Sequence, residues 1–188
     1  MNKKTVPFQA FILLLFITGP TALLHISCSQ SITYVVDGTV THVSDGDTIH
    51  LITPAETKLT IRLYGIDAPE IDRSDAQGGK TGQPYGDASQ KALADKIRGQ
   101  QIQLGVIEMD KHHRLVGIIW MGNRNINLEM LQEGHAEAFV EYLKPPYRLK
   151  FLQAEREAKS AKRGIWSLPD YERPIDFRKR LNIKDKEG

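Results

Sequence analysis

"KLTIRLYGIDAPE", Lys58–Glu70, is the stretch that decides how this chain is read. Leu59, Ile61 and Leu63 alternate with Thr60, Arg62 and Tyr64. That is the two-residue period of a strand with one buried face. The alternation stops at Gly65, and two carboxylates, Asp67 and Glu70, follow around Pro69. Proline holds the residue before it extended, so Ala68 can present its backbone carbonyl beside Asp67. Arg62 stands on the face opposite the aliphatic residues and can reach the strand end. Taken alone, the stretch reads equally well as a surface ion pair of Arg62 with one acid, and such pairs contribute little.

Two more stretches bear on that choice. In "VSDGDTIHL", Val43–Leu51, Asp45 and Asp47 flank a glycine and lead into a strand. Carboxylates two apart in a strand point the same way and repel unless a cation or an arginine lies between them. Hard cations take such oxygen ligands together with backbone carbonyls; Asp-Gly is also a common turn dipeptide. In "EMDKHHRLVGIIW", Glu108–Trp120, one strand ends near Met109 and another starts at Arg114. Lys111, His112 and His113 fall in the hairpin between them. Adjacent histidines in extended backbone point apart, so a solvated hairpin tip is favoured over a metal pair. Together the stretches supply ligands for a hard cation (Asp47, Asp67), a candidate base (Glu70) and two guanidiniums (Arg62, Arg114). Arginine grips phosphate oxygens in pairs, and a cation with two arginines can stabilise a phosphoryl group as it gains charge.

Around these stretches the chain alternates strands and short helices. Strands are expected at Thr33–Val43, with Gly38 marking a turn or bulge, at Asp47–Thr53, Lys58–Tyr64, Gln101–Met109 and Leu115–Trp120. A glycine-rich polar loop spans 71–86. Helices are expected over Pro84–Arg98, with Ala88, Lys91, Ala92, Leu93, Ala94 and Ile97 on its inner face, and over Leu128–Glu133, capped by Asn127. A third runs from Pro145-Pro146 to Gly164, with Phe151, Leu152 and Ala158 inward. The segment after Trp166 shows no strand or helix period. Five strands with interspersed helices fit a small closed barrel with helical cover; a ferredoxin-like α+β arrangement fits the element count almost as well.

The chain has 188 residues, 40% hydrophobic and 26% charged, enough for one domain with a sizeable core. Lys3 and Lys4 precede an apolar run from Phe8 to Ile17, the pattern of a secretory signal over residues 1–27, too short to span a bilayer comfortably. Residues 28–34 then read as a linker. Export is therefore expected, to the periplasm or outside the cell, with a retained N-terminal anchor as the competing reading. The single cysteine, Cys28, excludes an intrachain disulfide. It lies where a bacterial lipoprotein is acylated, which would tether the chain to a membrane, although His25 stands where an apolar residue is usual. Ordinary cleavage after Ser29 is the alternative. The formal charge is +2, and without Lys3 and Lys4 basic and acidic side chains balance. Any anionic ligand must then be held by local clusters.

The motifs "DGDT", "RLYGIDAPE", "YGDAS", "DKHHR", "NLEMLQEGHA" and "AKSAKRGIW" follow one another in the order of the staphylococcal nuclease (thermonuclease) family, which this chain resembles over roughly residues 35–167. The resemblance implies an α+β, mainly β fold: a five-stranded oligonucleotide-binding (OB) barrel with about three helices. It implies a calcium-dependent nuclease that cleaves phosphodiester bonds of DNA and RNA, single-stranded by preference, leaving 3′-phosphates and working as a monomer. Asp47 and Asp67 then match the calcium carboxylates, Ala68 the backbone-carbonyl ligand, Glu70 the general base, Arg62 and Arg114 the phosphate-binding arginines, and Asp45 a supporting acid. Lys111, His112 and Tyr142 match nucleotide-contacting positions. Here the sequence departs from the family pattern, because His112 replaces a tyrosine and Val140 an aromatic. Weaker or altered base preference is expected, since aromatic stacking supplies much base affinity. The alternative reading is an OB-fold nucleic-acid-binding module with weak catalysis; retention of all three acids and both arginines argues against it. The basic tail, 168–188, either packs on the barrel or touches nucleic acid.

Overall fold

The computed structural model describes residues 31–73 and 81–187. The expected signal segment, Cys28 and the middle of the glycine-rich loop lie outside them. Strands β1 (Tyr34–Asp45), β2 (Thr48–Ile52), β3 (Lys58–Leu63) and β4 (Ile66–Asp67) precede helix α1 (Gly86–Ile97). Then come β5 (Gln101–Met109), β6 (Leu115–Met121), β7 (Arg124–Asn125), α2 (Ile126–Gln132), β8 (Glu137–Ala138), α3 (Arg148–Ser160) and α4 (Pro174–Glu187).

Five of these strands close into a barrel. The order is β3-β2-β1-β5-β6, and a parallel pairing of β3 with β6 completes the ring. β1 is long enough to serve two neighbours. Its first half pairs with β5, from Tyr34 opposite Val106 to Thr39 opposite Gln101, and its second half pairs with β2, from Thr39 opposite Ile52 to Asp45 opposite Thr48. The strand runs through Gly38 without a break; its irregularities fall later, at Val40–His42 and Val43–Asp45. Bulges of this kind bend a strand and raise its twist, as barrel closure requires. The alternation seen in the sequence fills the interior with fully buried Val40, Ile49, Leu51, Ile61, Leu104 and Ile118, each contributing about 1.5–3 kcal/mol. The fold is the mainly β OB barrel, with four α-helices among the described residues.

The helices depart from the expected pattern in three places. α1 buries Gly86, Ser89, Leu93 and Ile97, while Ala88 and Lys91 face solvent. A small hydroxyl residue, which pattern reading passes over, therefore sits on the inner face. α2 is capped by Asn125, whose Oδ1 accepts from Leu128 N at 3.0 Å, and not by Asn127. Asn127 is instead buried in the barrel wall: its Nδ2 donates to the carbonyls of Tyr64 (3.0 Å) and Gly117 (3.1 Å), and its Oδ1 accepts from Ile119 N (2.9 Å). It replaces ladder hydrogen bonds where β3 and β6 meet, and a buried polar group is tolerated because all three bonds are made. Third, the segment after Trp166 contains α4. Only Pro174 and Phe177 of its described side chains are buried, too few to print an apolar stripe on the sequence.

Candidate active site

The β2–β3 register sets the site. Thr48 pairs with Arg62, so Asp47, one residue earlier, meets the Arg62 guanidinium at the barrel rim. Gly46 makes this approach possible, since a Cβ there would collide with Ser89 Oγ of α1 and stand 2.6 Å from Ala68 Cβ. Gly65 (φ 74°) then turns the chain out of β3, and Asp67 comes back against Arg62 from β4.

Asp47 and Asp67 are 1% and 0% exposed. Arg62 bridges them, its Nη1 2.6 Å from Asp47 Oδ1 and its Nη2 2.7 Å from Asp67 Oδ1. Asp47 Oδ2 also accepts from the Ala68 backbone N–H at 2.8 Å, and the Asp47 N–H donates to Asp45 Oδ1 at 3.1 Å. Burial raises the Asp47 carboxyl well above the usual range, the Arg62 charge opposes this, and the nearby charges of Asp45 and Asp67 add to the rise. Burial works against the charge of Arg62, yet Asp47 and Asp67 outweigh it and push its pKa up. Crowded acids of this kind gain from every positive charge among them.

Glu70 lies at the rim, its side chain 34% exposed. Gln83 fixes its backbone: Glu70 N–H donates to Gln83 Oε1 (3.1 Å), and Gln83 N–H donates to the Glu70 carbonyl (2.8 Å). Its carboxylate is held from α4. Arg178 Nη1 lies 2.8 Å from Glu70 Oε1 and 3.1 Å from Asp67 Oδ1, and Arg178 Nη2 lies 2.8 Å from Asp67 Oδ2. Arg178, an arginine that sequence reasoning did not assign to the site, thus joins Arg62 among these acids.

Arg114 immediately precedes β6, whose Val116 is paired with Arg62. By strand alternation it shares a barrel face with Arg62. Its guanidinium is held by Asp110, with Nε and Nη2 at 2.8 and 2.7 Å from Oδ2, while Asp110 Oδ1 accepts from the backbone of Arg114 and His112. Burial alone would raise the Asp110 carboxyl, but the hydrogen bonds from Arg114 and His112 bring it below its usual value. Lys111, His112 and His113 are exposed at the hairpin tip, as expected. Tyr142 is 59% exposed, with its ring 4.7 Å from that of Phe139, and Val140 is half-buried.

Sequence reasoning passed over three of these participants: Asp110, Glu137 and Arg178. Asp110 has the i, i+4 acid–arginine spacing to Arg114 and was open to detection. Glu137 and Arg178 were not: Asp67 and Arg178 are 111 residues apart, and Glu137 reaches the site only because β8 pairs it with Asp67. Glu137 is 2% exposed, accepts from Arg173 Nε (2.8 Å) and Tyr171 Oη (3.1 Å), and is raised by burial to about 7.

Among the described residues no three His, Cys, Asp or Glu side chains gather as a metal centre; the Arg62 and Arg178 guanidiniums are bonded to the acids. The donors themselves, two buried carboxylates and one at the rim, are the hard oxygens that calcium or magnesium takes. In chemistry the set fits such a cation.

Proteins of one family are similar to this chain. The family model described as "Staphylococcal nuclease homologue" matches residues 60–168. The chain belongs to the staphylococcal nuclease family. A micrococcal nuclease of Shigella flexneri is 32% identical over 151 residues, covering 76% of this chain and 80% of the relative. An uncharacterized endonuclease of Haemophilus influenzae is 30% identical over 144 residues, 77% of this chain and 74% of that one. A probable staphylococcal-like nuclease of Oryza sativa subsp. japonica is 39% identical over 122 residues, 65% of this chain but 29% of its own length. The chain therefore spans under a third of the plant relative and about three quarters of the bacterial ones. Within the staphylococcal nuclease match lie Arg62, Asp67, Glu70 and Arg114; Asp47 precedes it and Arg178 follows it.

Proposed function

We propose that this chain is a calcium-dependent nuclease that hydrolyses phosphodiester bonds of DNA and RNA, with single strands preferred and 3′-phosphates left. The observation that carries the proposal is the convergence of buried Asp47 and Asp67, from two different strands, on one guanidinium, with Glu70 at the adjacent rim. Asp47 and Asp67, with the Ala68 carbonyl, would hold the cation, and Asp45 steadies Asp47 through its backbone N–H. When bound, a calcium ion supplies positive charge to a phosphoryl oxygen and a position for water. Glu70 orients a water in line with the scissile bond and takes its proton. Arg62 and Arg114 grip the non-bridging oxygens and stabilise the charge that develops on them. Asp110 presets the Arg114 guanidinium for that contact. Lys111, His112 and Tyr142 are exposed and would meet the flanking nucleotides. Membership of the staphylococcal nuclease family and the names of the bacterial relatives support the reading. Export, a lipid anchor at Cys28 and a monomeric state belong to the same proposal; among the described residues no helix is long and apolar enough to cross a membrane.

The test is degradation of single-stranded DNA by the wild-type chain with calcium and with chelator, beside Glu70→Ala and Asp47→Ala. Turnover that needs calcium, falls by several orders of magnitude in Glu70→Ala, and needs more calcium in Asp47→Ala is the expected result. Tight DNA binding without cleavage would make the chain a binding module instead.

A further inference from the structure

The cation site proposed above carries a further consequence, because α4 already places a positive charge on it. Arg178 grips Asp67 with both of its terminal nitrogens, 2.8 and 3.1 Å from the two carboxylate oxygens, and reaches Glu70 Oε1 at 2.8 Å with one of them. Asp67 Oδ1 takes a further bond from Arg62. A carboxylate has about four lone-pair positions, and three hydrogen bonds take both of Oδ1 and one of Oδ2 on Asp67. A divalent cation would need to approach the same oxygens to about 2.3–2.6 Å. Beside a guanidinium in a bidentate grip it competes for these lone pairs and is repelled by the positive charge already there.

The arm that delivers Arg178 is docked by specific contacts. Phe177, its neighbour in sequence, is buried. Arg173 binds Glu137 and, at 3.3 Å, Glu141. Gln83, which fixes the Glu70 backbone, donates from Nε2 to the Glu172 carbonyl at 3.1 Å. The Arg178 side chain is itself 34% exposed, so it can leave for solvent without unfolding the barrel. Asp67 and Glu70 cannot follow it, since both are fixed to the barrel rim by backbone pairing and by Gln83.

We propose that Arg178 is a built-in counter-ion that occupies the cation position at Asp67 and holds Glu70, so that α4 must release Arg178 before the divalent cation can seat. The proposal rests on the cation site of the preceding subsection. The helix thereby sets the calcium concentration at which the enzyme becomes active and keeps the acids neutralised below it. Ligand and counter-ion are linked equilibria: what binds one state shifts the other by its differential affinity.

Calcium binding to the full chain is measured by titration calorimetry for wild type, Arg178→Ala and Arg178→Gln. In parallel, amide hydrogen exchange of wild-type α4 is followed with and without saturating calcium. Calorimetry reads the site without any turnover. The Kd for calcium is expected to fall at least tenfold in both variants, a change of about 1.4 kcal/mol. Exchange in α4 is expected to speed up with calcium while β2 and β3 stay protected. Unchanged or weaker binding in both variants, or equal α4 protection with and without calcium, overturns the proposal and leaves the cation site standing. No calcium binding by any of the three proteins removes the cation site, and this proposal with it.

Discussion

Gly46→Ala tests how tightly the barrel rim is built around the acids. A Cβ at Gly46 would overlap Ser89 Oγ and lie 2.6 Å from Ala68 Cβ and 2.9 Å from Ser89 Cβ. None of these atoms is the free end of a long side chain. Ser89 is fully buried and its Oγ donates to the His135 carbonyl at 2.7 Å; Ala68 is tied to Asp47 Oδ2 through its N–H. The β1–β2 turn must therefore shift as a unit. Overpacking of this kind costs about 1–3 kcal/mol, and three close contacts against fixed partners place Gly46→Ala at the upper end. For a domain of this size that lowers Tm by roughly 4–10 °C. The same shift stretches the Ala68–Asp47 bond, so the calcium affinity proposed for this site is expected to fall together with stability. Urea unfolding and calcium titration of wild type, Gly46→Ala, Ser89→Ala and the double variant measure both effects. Ser89→Ala removes the worst overlap, so the double variant should be more stable than the two single changes predict together, by 0.5 kcal/mol or more. A Gly46→Ala protein that melts within about 1 °C of wild type, or strictly additive effects, would refute the reasoning.

Two further predictions come from buried polar groups. Asn127→Ala leaves the Ile119 N–H and the Tyr64 carbonyl without their side-chain partner and should cost roughly 2–4 kcal/mol; faster exchange at the Ile119 amide beside an otherwise native spectrum is the signature. Burial raises the Glu137 carboxyl from 4.5 to about 7, so the native state keeps a proton that the unfolded chain has lost. The stability it contributes is complete below pH 4.5 and declines as pH rises to 7, by about 3 kcal/mol. Glu137→Gln should flatten that slope between urea midpoints taken at pH 5 and pH 8; the same slope in both proteins would sink the assignment.

What could be read from the sequence was what local backbone geometry enforces. The two-residue period of Leu59, Ile61 and Leu63 fixed both the strand and its inner face, because successive side chains of extended backbone must alternate. The turn after Gly65 followed from the same stretch, and the candidate acids and arginines stood out because they lie at strand ends beside such patterns. Chemistry then grouped Asp47, Arg62 and Asp67, and the β2–β3 register does bring them together.

The rest was decided by contacts between distant segments. Ser89 faces inward in α1 because Gly46 leaves it room, and Asn127 leaves the helix cap for the barrel wall because β3 and β6 need its three hydrogen bonds there. Pairing of β4 with β8 sets Glu137 beside Asp67, which no spacing along the chain encodes. α4 is held by Phe177 and a handful of charged contacts, so it carries no apolar period to read. Its arginine finds Asp67 across 111 residues. Periodicity records what a segment does to itself, whereas an ion pair between remote segments depends on the shape of everything folded between them.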